Sequence, residues 1–345
     1  RLLESIDFTV KSVGQATLEV TAPSFRVDIA RTVDLIEEVA RMTGYNNIPR
    51  TYPLVAAETR KPSKNLTERD RIKQIMTGFG FTEAINYAFM DESACDLLNL
   101  AKNDDRRLFV KILNPLTEDQ TVMRTSLIPG LLKSMHRNYS RQVKRVELFE
   151  VGKVFIQKNE QGLPEETEML GGILSGSASP LTWKLKDAPF DFYDMKGVVE
   201  GLLSTVNIDN AAFTSLPDDL CRYTRAGHTA KILLGNTLLG QVGELRPDVL
   251  KAYDLKQSAW IFELDLTQLY RLIPEFNQAG VIPRFPATSR DATIIIDRAV
   301  EAGCILDYVK GMDEALVEDL SIFDVFTGSP ISEGKKSVSF RITYS

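Results

Sequence analysis

The chain has 345 residues, 43% of them apolar and 26% charged, with a net charge of −6. This describes a globular chain large enough for two or three domains. It excludes a uniformly basic nucleic-acid coat but leaves room for a local basic patch, and no apolar run approaches the ~18 residues that a membrane span needs.

Three widely separated cysteines, Cys95, Cys221 and Cys304, form no metal motif and point to reduced thiols in a cytosolic protein. The opening Arg1-Leu2-Leu3-Glu4-Ser5 reads as the middle of a helix without an initiating methionine, so a fragment of a longer chain is expected.

Residues 1–53 form the first expected unit. Phe8-Thr9-Val10 and Ala16 to Thr21 read as two strands joined around Gly14. A short helix follows, with Thr32 placed to cap its start and Gly44 to end it. Ile36, Val39, Ala40 and Thr43 recur at helical spacing and predict one buried stripe. Small helices with a hairpin suggest a winged-helix-like module. Its prominent helix carries acids where a groove-reading helix carries Arg or Lys.

The polar, Pro-containing stretch 54–66 reads as a linker. Residues 67–275 form a larger region, opened by a helix with Thr67 as its cap and ended at Gly78-Phe79-Gly80. Strands are expected at Ala84–Phe89 and Val110–Pro115. Arg145–Phe155 reads as two segments around Gly152, and Trp260–Leu266 as a further strand. Helices are expected at Leu127–Tyr139, with Pro129 near its start, and at Phe192–Leu203. A hairpin turns at Gly235-Asn236. Gly171-Gly172-Ile173-Leu174-Ser175-Gly176 lacks the trailing Lys-Ser/Thr of a phosphate loop and reads as a tightly packed strand. Strands interleaved with helices, without regular βαβ alternation, predict an antiparallel sheet flanked by helices. Residues 276–345 read β-α-β-β, the first part of a ferredoxin-like unit that is incomplete at its C-terminus.

The chemistry concentrates in few places. Asp34, Glu37 and Glu38 share one helix face, and Asp28 lies just upstream. Two readings stay open for them. One is a solvated first turn favoured by the helix dipole, with Glu37 paired to Arg41. The other is a hard-cation site, since oxygen-only donors without nearby His or Cys suit Mg²⁺ rather than zinc. The two histidines, His136 and His228, read as structural. The basic run Lys133–Arg145 reads as a solvated helix face, with nucleic-acid contact as the alternative. Lys335, Lys336 and Arg341 offer basic groups near a sheet of the kind that can meet single-stranded RNA.

These residues carry a resemblance. Pro23 to Ile29, Asp34 to Arg41 and Gly44 to Pro49 resemble the small domain that precedes the synthetase-like core in beta subunits of bacterial phenylalanine–tRNA ligase. Asn114-Pro115-Leu116, Met123 to Leu132 and Glu147 to Gly152 resemble that core. Phe285-Pro286, Ser289-Arg290-Asp291, Phe323 to Gly328 and Gly334 to Ser337 resemble the family's ferredoxin-like anticodon-binding domain.

The resemblance implies a multidomain α+β chain with a winged-helix-like domain, a non-catalytic class II synthetase-like core and an incomplete ferredoxin-like domain. It implies a cytoplasmic α₂β₂ enzyme that joins phenylalanine to tRNA with ATP and Mg²⁺, the active site lying in the alpha subunit and ATP not bound by this chain alone. It assigns Mg²⁺, shared with the alpha subunit, to Asp28, Asp34, Glu37 and Glu38. It makes Arg290, Lys335, Lys336 and Arg341 candidates for RNA contact. No glycine-rich strand ending in an ATP-holding Arg is found in 67–275, so catalysis by this chain alone is not expected. A stand-alone nucleic-acid-binding or scaffold module, without an enzymatic partner, is the competing reading.

Overall fold

The computed structural model describes residues 1–53, 63–158, 162–179, 182–184, 186–217, 222–276, 286–312 and 316–344. The chain divides into two compact units, Arg1–Ser63 and Lys64–Ser345. Most of the linker stretch, 54–62, lies outside the described residues, as does Cys221.

The first unit holds a hairpin of β1 (Thr9–Ser12) and β2 (Leu18–Thr21), then α1 (Thr32–Thr43). The hairpin bends through Gly14, whose φ of 127° suits only glycine. Gly44, at φ 91°, ends α1 as its sequence position predicts. Two expectations fail here. Thr32 is not the cap: it is the first helical residue, and Asp34 reaches back to accept from the Ala30 and Arg31 N–H groups at 2.9 and 2.7 Å. The Ile36–Val39 stripe is not buried, with Ile36 63% exposed, and the buried residue of α1 is Glu38. A helix this short in so small a unit has little apolar layer to pack on. The contact that fixes its face is electrostatic.

The second unit begins with α2 (Lys64–Gly78), so 64–66 is helix rather than linker and Thr67 lies inside it. After β3 (Thr82–Glu83) come β4 (Phe89–Met90), α3 (Ala94–Leu97), β5 (Val122–Met123) and α4 (Ile128–Ser140). Of the strand expected at 84–89, only Phe89 is in a strand; β3 ends just before that stretch and residues 84–88 are irregular. Residues 110–115 contribute a single bridge, Lys111 to Val122. The main strands are β6 (Val146–Ile156) and β7 (Glu165–Ser175), followed by the small pair β8 (Ser177–Ser179) and β9 (Ala188–Pro189). Then follow α5 (Phe192–Thr205), β10 (Ala211–Ser215), β11 (Thr224–Leu234), β12 (Thr237–Leu245), α6 (Pro247–Ala252), β13 (Ala259–Asp265) and α7 (Leu266–Leu272). β6 runs unbroken through Gly152, because the glycine accommodates a side chain lying over the strand rather than a break.

These strands form a seven-stranded sheet in the order β10-β11-β12-β13-β7-β6-β3. It is antiparallel except where β3 runs parallel to β6. Alternation along β13 splits the core over its two faces. Trp260, Phe262 and Leu264 pack with Ile72, Met76, Met195 and Leu202. Ala259 and Ile261 join a cluster with Leu98, Leu127, Leu131 and Met135. Pro129 opens α4 and Asp191 caps α5, as local chemistry dictates.

The remaining elements are β14 (Thr288–Asp297), α8 (Gly303–Lys310), β15 (Val317–Phe326) and β16 (Lys335–Tyr344). They form an antiparallel sheet in the order β14-β16-β15, the arrangement a ferredoxin-like β-α-β-β run requires. Val338 and Phe340 are buried on one face of β16. On the other face Ser339 is also buried, its hydroxyl 2.9 Å from that of Thr293. No described helix is long and apolar enough to cross a membrane.

Candidate functional site

The acidic cluster of the first unit is organised by a residue whose role no spacing rule signals, Arg26. Its guanidinium donates four hydrogen bonds. Two go to Asp28, from Nε to Oδ1 at 3.0 Å and from Nη2 to Oδ2 at 2.7 Å. Two go to Glu38, from Nη1 to Oε2 at 3.0 Å and from Nη2 to Oε1 at 2.9 Å. Arg41 adds two more to Glu38, the shorter at 2.6 Å. The planar fork of arginine matches a carboxylate at two points, which a lysine cannot do. Below this layer the guanidinium carbon stands 5.9 Å from the ring centre of the buried Phe8.

The electrostatics follow from the contacts. Arg26, then Arg41, hold the Glu38 carboxyl down to about 2. Asp28 is lowered chiefly by Arg26, and Asp34 by the Ala30 and Arg31 N–H groups. Arg41 thus pairs with Glu38, three residues back, not with Glu37 as the solvated-face reading expects. Glu37 is exposed and has no hydrogen-bond or ion-pair partner among the described residues.

The fit to a hard cation is partial. The donors are all carboxylate oxygens, and a stand-in cation, the Arg26 guanidinium, already bridges Asp28 and Glu38. Those two acids therefore present their oxygens to one positive centre. Asp34 is engaged at the helix start. Among the described residues, no three His, Cys, Asp or Glu side chains gather closely enough to hold a metal ion. One or two carboxylates with oxygens from elsewhere suit Mg²⁺, which keeps several waters.

The four basic candidates in the last sheet do not converge. Directly opposed residues of antiparallel strands point to one face. Arg290 opposes Ile342 and Lys336 opposes Ile296, so both lie on the face of Phe340. Lys335 opposes Asp297, and Arg341 opposes Asp291, on the other face. Within each pair the two basic groups are separated by six residue steps of strand, about 20 Å. Arg341 is committed: it grips Asp291 at 2.7 and 2.9 Å, with its guanidinium carbon 5.4 Å from the ring centre of Phe323. Lys335 is exposed and Lys336 half-buried.

The core holds a polar row not anticipated from the sequence. Glu150, Gly171 and Glu263 lie side by side on β6, β7 and β13, facing α4. The segment Arg124–Leu127 crosses them. Arg124 binds Glu150 at 2.5 Å, Leu127 sits over Gly171, and the Ser126 hydroxyl donates to Glu263 at 2.8 Å. Asn86 gives Glu150 two further donors, from N at 3.2 Å and from Nδ2 at 2.7 Å. Tyr223 donates to Glu263 at 3.2 Å. A Cβ at Gly171 would stand 3.1 Å from Leu127, and one at Gly152 would stand 2.0 Å from the Arg124 guanidinium. These glycines admit side chains against the strands. The glycine-rich run is packing, as its lack of a phosphate-loop tail predicts.

His228 rests 3.3 Å from Glu244, and His136 stands 3.4 Å from the Ser140 hydroxyl. Cys95 is buried and Cys304 exposed, both free.

Comparison with known proteins joins these parts. Residues 1–45 match the family described as tRNA synthetase B5 domain. Residues 48–266 match phenylalanyl tRNA synthetase beta chain CLM domain, and residues 283–345 match ferredoxin-fold anticodon binding domain. The chain is 39% identical over 339 residues to a phenylalanine–tRNA ligase beta subunit of Syntrophus aciditrophicus, covering 98% of this chain and 42% of that protein. It is 35% identical to the beta subunit of Bacillus subtilis, covering 96% of this chain and 41% of the relative. It thus spans about two fifths of the length of the curated relatives it matches. Among solved structures, a pyrrolysyl-tRNA synthetase from Desulfitobacterium hafniense overlaps 63% of this chain and 71% of its own, with a TM-score of 0.49 and 14% identity.

Proposed function

We propose, for a chain that belongs to the family of phenylalanine–tRNA ligase beta subunits, a supporting role in a two-subunit, cytoplasmic ligase that attaches phenylalanine to its tRNA with ATP. The chain packs on the catalytic alpha subunit in an α₂β₂ assembly and helps hold tRNA. The observation that carries this reading is the order of the three matched regions along one chain, the last of them falling on a sheet of ferredoxin-like strand order.

The polar row supports a structural part for the core. Its buried acids, Glu150 and Glu263, are each engaged by neighbouring side chains, so they hold the sheet and α4 together. Co-expression with an alpha subunit carrying class II motifs tests the assignment. Co-elution and tRNA binding are expected, together with no ATP–pyrophosphate exchange by this chain alone. Exchange by the isolated chain, or failure to bind either partner, sinks it.

Magnesium, when bound, supplies a positive centre for phosphate oxygens. Asp28, Asp34, Glu37 and Glu38 are the residues of this chain that serve it, with remaining oxygens drawn from the partner or substrate. The free carboxylate of Glu37 and the convergence of Asp28 and Glu38 on one cation support that reading.

For RNA, Arg290, Lys335 and Lys336 have no acidic partner among the described residues, whereas Arg341 is engaged by Asp291. The Lys335→Ala/Lys336→Ala pair is expected to weaken tRNA binding and to flatten the slope of log K against log salt by up to about two. Arg341→Ala is expected to leave that slope nearly unchanged. An unaltered slope in the double variant removes the lysines from the interface.

A further inference from the structure

Asp28 and Glu38 are ten residues apart, yet one side chain of this same chain holds both. Arg26 stands in the place between them, its guanidinium carbon 5.9 Å from the ring centre of Phe8. Glu38 is 5% exposed and accepts four N–H groups, two from Arg26 and two from Arg41. Asp28 has both oxygens on Arg26. A divalent ion approaching these acids meets oxygens already spent on a cation.

We propose that Arg26 is the resident counter-cation of the acidic cluster, and that a divalent cation can take Asp28 and Glu38 as ligands only by displacing its guanidinium. This rests on the magnesium reading above and deepens it. It makes Arg26 a positioning residue. With the metal absent, it keeps two like-charged carboxylates together and their helix in place, and it sets how tightly the metal binds. Without metal, Arg26 and Arg41 together balance the two carboxylates, and the exchange puts a doubly charged ion on the oxygens that Arg26 leaves. A bare cluster of acids would instead repel itself.

The test is Mn²⁺ binding to the full chain, read from the loss of the free-ion EPR signal, with folding checked by circular dichroism. The wild-type chain is expected to bind Mn²⁺ weakly. Arg26→Gln removes the competitor and is expected to bind at least about tenfold tighter, a change worth ~1.4 kcal/mol. Arg26→Lys keeps the charge but cannot fork two carboxylates, so a smaller gain is expected. This variant carries the test if Arg26→Gln fails to fold. Adding Glu38→Gln to either variant should abolish its gain.

Folded Arg26 variants that bind Mn²⁺ no tighter than wild type overturn the competitor role. If wild type then still binds, and Asp28→Asn or Glu37→Gln weakens it, the magnesium reading survives without Arg26. If neither this chain nor the two-subunit enzyme binds Mn²⁺ at the cluster in any variant, the magnesium reading itself falls.

Discussion

Arg124→Ala is expected to destabilise the core by roughly 3–5 kcal/mol, the cost of leaving a buried carboxylate without its partner. Arg124 and Glu150 are both buried, and their 2.5 Å contact lies beneath α4. The same guanidinium donates from Nε to the Lys153 carbonyl at 2.8 Å, bridging two points of β6. Its removal therefore strands Glu150 with only the Asn86 donors and opens a space over Gly152.

A fall in melting temperature of roughly 10 °C follows for a domain of this size. Replacing both members, Arg124→Met with Glu150→Leu, is expected to recover most of the loss, because an apolar pair carries no desolvation cost. A loss below about 1 kcal/mol for Arg124→Ala, or a double variant worse than the single one, contradicts this account of the pair.

Gly172→Ala comes next. Gly172 lies between Phe149 on β6 and Phe262 on β13 in the central rows of the sheet. A Cβ there would stand 2.2 Å from a carbon of the Phe262 ring. Phe262 is fully buried, with Leu202, Leu264 and Trp260 in the same cluster, so the ring can move only by displacing packed neighbours. Overpacking of this kind costs about 1–3 kcal/mol and more where nothing yields. Thermal unfolding of the full chain checks it. Adding Phe262→Leu to Gly172→Ala should restore part of the stability, and a Gly172→Ala variant as stable as wild type rules out the tight seat of the ring.

Much of the fold is legible residue by residue because its signals are local. Pro129 starts α4, Gly44 ends α1, and Gly235-Asn236 turns the β11–β12 hairpin. The continuous apolar runs of β7 and β13 mark strands buried on both faces. Spacing was a poorer guide where burial depends on what lies opposite. The period of Ile36 and Val39 is helical, yet the first unit places Arg26 against the opposite face, so Glu38 is the residue taken inside.

The candidate site divides along the same line. The sequence alone determined which residues are acids, that they share a helix face, and, through motifs in order, the family to which they belong. It also marked the glycine-rich run as packing, since the residues that turn such a run into a phosphate loop are absent. Only the tertiary structure decided what the charges do. Arg26 reaches Glu38 across 12 positions, Arg124 reaches Glu150 across 26, and Ser126 reaches Glu263 across 137. Opposite charges find each other through strand register and helix placement, which bring distant residues to within 3 Å, and no local periodicity encodes those distances.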